Sequence, residues 1–202
     1  MDSQPRYLRA SDRRLATVEA VVALAASHNP SEITTTAIAH EMGLTQGAVF
    51  RHFATKDAIL EAVMQWVAAG LMSRVDAAVQ ATPSPARALE ALFMAHVDFV
   101  ASHPGVPRII LAELQRAEPT TPKRLVQACL RRYGVRVSQL LADAKQRGEL
   151  HADLDTEAAA ILFVGTIQGL VLQGLLAGDV TRIRRDAPRV FAIYRRGIEA
   201  AP

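Results

Sequence analysis

The sequence predicts an all-α protein. Three observations carry that expectation. Apolar residues recur at helical spacing along the chain, no alternating apolar and polar run has turn signals on both sides, and the breaks leave nine segments of helical length. Leu15, Val18, Val22 and Ala25 stripe a first helix at about 11–27, which His28-Asn29-Pro30-Ser31 ends. Short helices follow at 34–42 and 46–52 with Gly43 between them, and Ala54-Thr55 precedes a long helix at 56–80. After Ala81-Thr82-Pro83-Ser84-Pro85, the residues Leu89, Leu92, His96 and Phe99 stripe a helix at 85–103, closed by His103-Pro104-Gly105. A helix at 105–116 runs to the Pro119–Pro122 break. Leu130, Tyr133, Val137, Leu140 and Ala144 stripe the next, at 122–147, bounded by Gly148. Helices at 155–177 and 187–199 complete the series, with Asp179 to Asp186 between them. Ala187, Val190, Tyr194 and Ile198 stripe the last one, and Pro188 falls in its expected first turn, where a missing N–H costs nothing.

With 202 residues, half of them hydrophobic, the chain can bury a substantial core, which excludes wholesale disorder. A lone cysteine, Cys129, excludes a disulfide framework and a thiolate zinc cluster. The formal charge of +3 weakly favours an anionic partner, but residues 1–57 hold six basic and six acidic side chains, so the surplus lies in 58–202. Only local clustering can argue for such a partner, and Arg6, Arg9, Arg13 and Arg14 form one such cluster. The first apolar run, Val21 to Ala26, follows Arg9, Asp12, Arg13, Arg14 and Glu19. It reads as one face of an amphipathic helix rather than as a secretory leader, so a cytoplasmic chain is expected. Ala158 to Gly178 carries no charge and nearly matches the ~20 residues that span a bilayer. It holds Gly165-x-x-x-Gly169, a spacing that allows close helix approach. Thr166, Gln168 and Gln173 within it, and the lack of a second candidate span, favour a helix buried inside a helical protein instead.

Residues 33–57 carry the most specific pattern. Two helices too short to be stable alone are joined by a tight turn. Thr35 is placed to cap the first, and Ala37, Ile38 and Met42 give it an inward face. Gly43 takes the position after the helix, where a left-handed backbone is cheap for glycine, and Leu44 is expected to plug the turn. Thr45 is placed to cap the second helix, whose inward face is Val49 and Phe53. This is a helix–turn–helix pattern over about 34–53. It leaves Gln46, Gly47, Ala48, Phe50, Arg51 and His52 at the start and outer face of the second helix. Gln can address adenine, Arg guanine, and the Ala methyl a thymine methyl, while the small Gly47 and Ala48 permit close approach to the bases. Glycine after a short helix is by itself common to any αα-corner.

The whole segment resembles the DNA-binding motif of the tetracycline-repressor (TetR) family of bacterial transcription regulators. Ile33, Thr34, Ile38, Ala39, Gly43, Leu44, Thr45, Gly47, Val49, His52, Phe53, Lys56 and Leu60 match the family pattern. The match covers about 60 N-terminal residues. The resemblance implies a DNA-binding domain over 1–57 and a ligand-binding and dimerisation domain over 58–202. It implies that Thr35, Thr36, Thr45, Gln46, Gly47 and Ala48 meet bases or the adjacent backbone, with Phe50, Arg51, His52 and Lys56 along phosphates and groove edges. Phe50 departs from the family's usual Tyr and lacks the hydroxyl that would donate to a phosphate. Thr55 stands for the common Ser or Asn and can still cap the next helix. The N-terminal arginines would reach DNA in some family members; a solvated terminus is the plain alternative.

The implied partners are double-stranded palindromic operator DNA, a second copy of the chain, and a hydrophobic or amphipathic small-molecule effector, with no membrane. The expected function is a repressor released by that effector; an architectural or nucleoid-associated DNA binder without an effector is the alternative. Apolar stripes with a few polar groups nominate Met64, Val67, Phe93, His96, Ile110, Leu114, Cys129 and Tyr133 as cavity lining. Ile161, Gly165, Gln168, Gly169, Leu172 and Leu176, with Val190, Phe191, Tyr194 and Ile198, are the expected dimer face. No cofactor or metal is expected: His96 and His103 lie two turns apart, about 10.5 Å along the axis, too far to share an ion. Neither a nucleophile–base pair nor a glycine-rich phosphate loop stands out, so no enzymatic activity is expected.

Overall fold

The structure, a computed structural model, describes residues 10–200. Among them the chain forms nine α-helices and no strand: α1 Ala10–Ser27, α2 Thr35–Glu41, α3 Gln46–Phe50, α4 Lys56–Gln80, α5 Pro85–Ser102, α6 Gly105–Gln115, α7 Thr121–Gln146, α8 Thr156–Leu176 and α9 Ile183–Ile198. Short 3-10 turns at Pro30–Glu32 and Val180–Arg182 lead into α2 and α9. The expected helices are all present. Side-chain caps explain most starts. Ser84, Thr120 and Asp155 each accept from backbone N–H groups of the first turn of α5, α7 and α8.

Two local expectations change. The last helix begins at Ile183, because the 3-10 turn capped by Asp179 runs directly into it. Pro188 therefore lies inside α9 rather than in its first turn, on an exposed position where water can serve the carbonyl it leaves unpaired. Leu15 and Leu130, placed on inward stripes, are 44% and 37% exposed.

α1 to α3 form a small head, and α4 to α9 pack as a helical body around one continuous apolar core. α4 belongs to both. Ile59 near its start packs with the head's core, while Leu71, Met72 and Val75 lie in the body. A second junction joins α6 to α1. Glycine is obligatory at its first residue, since a Cβ on Gly105 would stand 2.0 Å from the Val22 carbonyl oxygen and 2.9 Å from the Ala26 nitrogen. α6 thus starts in backbone contact with α1. Its far end carries Glu113, a buried carboxylate that accepts from Thr120 Oγ1 at 3.2 Å. Arg116 lies 3.6 Å from Glu113 and 3.8 Å from Asp57, at the first turn of α4. The long connection after α7 is fixed too: Glu149 accepts from Ser84 Oγ and from the Ala86 N–H at the start of α5.

Gly105→Ala is expected to lower unfolding free energy by about 2 kcal/mol or more, because the clash is backbone on backbone and no rotamer relieves it. A urea melt beside the parent checks this; an unchanged midpoint would mean that α6 sits loosely on α1.

Candidate functional site

The turn between α2 and α3 is built as the sequence requires. Gly43 has φ +64°, its N–H reaches the His40 carbonyl, and the Leu44 N–H closes back on the Ala39 carbonyl at 2.8 Å. Three details differ from expectation. The cap of α2 is Thr34, whose hydroxyl accepts from the Ala37 N–H at 3.1 Å. Thr45 begins α3 but its hydroxyl caps nothing. Leu44 does not plug the turn and is 36% exposed.

Released from capping, Thr35 takes a different task. Gln46 Nε2 donates to Thr35 Oγ1 at 2.8 Å, tying the first turn of α3 to the first turn of α2. α3 is only five residues long and cannot hold itself together. Val49 in α3 and Phe53 beyond it are buried in the core, and Arg14 of α1 clamps the far end. Its guanidinium lies 4.3 Å from the Phe53 ring centroid and donates to the His52 carbonyl at 2.7 Å. Arg14 therefore serves the head's own packing, not an extended arm. Arg6 and Arg9 of that arm lie outside the described residues.

The outer surface keeps Thr36, Thr45, Gln46, Gly47, Phe50 and Arg51 exposed, with Thr35, His52 and Lys56 half-buried beside them. A Cβ on Gly47 would meet nothing within 4 Å, so the α3 start is open to close approach. Ala48 is corrected: it is buried beside Val49, so its methyl faces the core and cannot meet a base. Lys56 Nζ donates to the Ser31 carbonyl at 3.2 Å, which holds the ammonium at the edge of the head. Residues of several types thus share one exposed surface led by the start of α3.

In the body, the expected lining residues separate. Met64, Val67 and Tyr133 are buried, Ile110, Leu114 and Cys129 half-buried. Phe93 instead joins a packed ring cluster, 5.4 Å from Phe163 and 5.0 Å from Phe191, and leaves no surface for a ligand. Burial lowers His96 to about 4 and pushes the Tyr133 hydroxyl well up, with Cys129 adding a smaller push. The Cys129 thiol is also raised by burial, against a smaller opposing effect of Arg132. No group of three or more metal-ligating side chains occurs among the described residues.

The expected dimer face divides. Ile161, Gly165, Gln168, Gly169, Leu172 and Leu176 all lie exposed along α8, with Ile161 at 69% and Leu176 at 74%. On α9, Phe191, Tyr194 and Ile198 are corrected. All three are buried in the chain's own core, Phe191 in the ring cluster and Tyr194 donating to the Ala159 carbonyl at 3.0 Å. The outward side of α9 is Arg189, half-buried Val190, Ile193 and Arg196. Phase explains the error: the buried stripe runs Ile183, Ala187, Phe191, Tyr194, Ile198, and the outer one is offset from it.

A small helix–turn–helix head on a larger helical body defines a DNA-binding transcription regulator. Residues 18–63 match the family of bacterial regulatory proteins called the tetR family, and residues 85–188 match the tetracyclin repressor-like C-terminal domain. The chain belongs to the tetR family. It is similar to the nucleoid occlusion factor SlmA of Marinomonas sp. (strain MWYL1), 22% identical over 80% of this chain and 82% of that one. Among solved structures it resembles the ketosteroid transcriptional regulator KstR2 of Mycobacterium tuberculosis, with TM-score 0.79 at 22% identity over 94% and 96% of the two chains. The transcriptional regulator FadR of Bacillus subtilis in complex with stearoyl-CoA gives 0.76 at 18% identity, over 92% and 99%. The SmeT–triclosan complex gives 0.75 at 20%, over 94% and 92%.

The roles in the head separate by mutation. Lys56→Ala is expected to weaken binding to all DNA sequences and reduce the salt dependence by about one phosphate contact. Gln46→Ala should instead relax preference at particular base pairs. Fluorescence anisotropy on cognate and scrambled duplexes distinguishes them; equal losses on both duplexes for both variants would contradict the assignment.

His96 gives a pH dependence. An unfolded imidazole takes its proton near 6.5 and the folded one only near 4. Between those values the unfolded chain binds more protons, so stability is full above about 6.5, falls as pH drops and levels off near 4. Urea midpoints from pH 7.5 to 5 should fall in the parent and fall less in His96→Met; parallel profiles would show that His96 does not contribute.

Proposed function

We propose that the chain is a homodimeric repressor that binds a palindromic operator and is released by a small-molecule effector. The observation that carries the DNA-binding half is the exposed Thr36, Gln46, Gly47, Phe50 and Arg51 surface on a helix locked from behind by Val49, Phe53 and Arg14. A head of this kind offers the start of α3 to a major groove. Residues 1–57 form the DNA-reading part and 58–202 the regulatory part, with Lys56 opening the helix they share. Cytoplasmic placement and the lack of a membrane partner belong to the same reading.

The dimer rests on α8. Contrary to the single candidate span read from the sequence, both α4 and α8 are long and apolar enough to cross a bilayer, but α4 lies more within the core, whereas Ile161, Leu162, Leu172 and Leu176 of α8 are each more than half exposed. An apolar strip of that kind, interrupted by Gly165 and Gly169, suits close crossing with its own copy about a two-fold axis. Gln168 would set the register, and Val190 and Ile193 of α9 would extend the face, with Arg189 and Arg196 at its rim. Each dimer then presents two α3 helices to successive major grooves, about 34–36 Å apart.

The effector part is supported by unpaired polar atoms inside the body and by the ligands named with two neighbours, stearoyl-CoA and triclosan. The SlmA likeness favours a second reading, a nucleoid-associated binder with no effector; a ligand that changes operator affinity decides against it.

Selection from a random duplex library should enrich a palindrome for the parent. Gly165→Leu should give monomers or aggregates by light scattering and lose tight binding to that palindrome. Enrichment of no sequence would contradict the DNA reading. A well-folded Gly165→Leu dimer with normal binding would place the interface elsewhere.

A further inference from the structure

Thr35 opens α2 and Gln46 opens α3, and their side chains meet at the outer surface of the head. Gln46 Nε2 donates to Thr35 Oγ1 at 2.8 Å, between residues 11 apart in the chain. The head's other features do not use either group. Thr34, not Thr35, caps α2, by accepting from the Ala37 N–H. Backbone bonds from Gly43 and Leu44 close the turn. Val49 and Phe53 seat α3 from behind. The particular effect of the Gln46–Thr35 bond is therefore on an exposed amide. An unattached glutamine on a surface samples several rotamers and can turn its amide either way round. Here the nitrogen faces Thr35, and Oε1 has no bond to any described residue.

We propose that Thr35 is a positioning residue: on DNA its hydroxyl donates to a backbone phosphate and accepts from Gln46, which turns Gln46 to read adenine. The proposal rests on the DNA-reading surface described above and deepens it. A threonine hydroxyl has one proton to give, and a phosphate oxygen can only accept. With that proton committed to a phosphate, Thr35 can only accept from Gln46. The amide nitrogen must then face Thr35, as it does in the free chain, and Oε1 and the second N–H are left for a base. Adenine offers N6–H2 and N7, a donor and an acceptor, which suit that pair. Guanine offers O6 and N7, two acceptors, and would set O6 against Oε1. A glutamine released from Thr35 can turn over and give its N–H groups to guanine, so it discriminates less. At the surface of the free chain the bond is weak, because water competes for both groups. A docked duplex excludes that water, and the orienting effect is felt in the complex.

Anisotropy titrations of the full chain test this, on the palindrome selected from the random library and on duplexes changed at one base pair each. The base pair whose preference Gln46→Ala flattens is the one Gln46 reads. There the parent should favour adenine over guanine by about five- to a hundredfold, the discrimination of one bidentate pair. Thr35→Val keeps the shape of the side chain and leaves the Thr34 cap in place. It should weaken every duplex through the lost phosphate contact and, in addition, cut the adenine-to-guanine ratio at least about threefold. Preferences at the other positions should stay, and Thr35→Ser should restore the ratio. A threonine that only touches phosphate, or only steadies the turn, gives a different result: Thr35→Val weakens all duplexes by one factor and leaves the ratio alone. That result, a preference for guanine at the Gln46 position, or no recovery with serine overturns the proposal and leaves the DNA-reading surface standing. If Gln46→Ala flattens no position, the surface reading itself fails and the proposal falls with it.

Discussion

Everything the head can do depends on how a five-residue helix is kept in place. α3 has too few residues to satisfy its own backbone, and its order is borrowed from the residues behind it. Val49 and Phe53 sink into the core shared with α1, α2 and α4, and Arg14 stacks on Phe53 while holding the His52 carbonyl. On the other side, the Gln46–Thr35 hydrogen bond fixes the leading turn against α2. The exposed side chains are therefore presented on a seat with little freedom, which reduces the entropy lost when they engage a partner.

The same head is fastened to the body at several points. α4 crosses without a break. α6 begins with its backbone against α1 at Gly105 and ends at Arg116, which lies within ion-pair distance of both Glu113 and Asp57. His96 on α5 and Tyr133 on α7 carry buried polar atoms without a hydrogen-bond partner, and these two helices pack closely along α4. The two ends of these contacts differ chemically: an apolar interior, and an outer surface of threonine, glutamine and arginine.

Much of this was legible in the sequence because it depends on local rules. Helix count followed from apolar periodicity and from proline and glycine breaks, and Gly43 followed from the conformation that the turn demands. The uncharged stretch at 158–178 reads from the sequence as a helix buried inside the protein, and the structure corrects this: α8 leaves Ile161, Leu162, Leu172 and Leu176 exposed, because its apolar residues surround the helix and one chain covers only one side of it. What failed was phase in short or strongly amphipathic helices. From the sequence Ala48 reads as outward although it sits beside Val49 in the core, and on α9 the aromatic residues read as the outer face although the ring cluster with Phe93 and Phe163 draws them in. Caps failed by one residue at Thr34 and Thr35, since adjacent threonines can each cap and only the three-dimensional partner, Gln46, decides between them. Glu113, Gly105 and the idle nitrogen of His96 have no sequence signal, because their roles arise from residues far apart in the chain.

The central claim is that the outer surface of α2 and α3 is where DNA touches the protein. Hydrogen exchange of the full chain, free and saturated with a duplex chosen from a random library, tests it directly. The account predicts that added protection falls on residues 34–56. Protection along α8 and α9 with the head unchanged would contradict it.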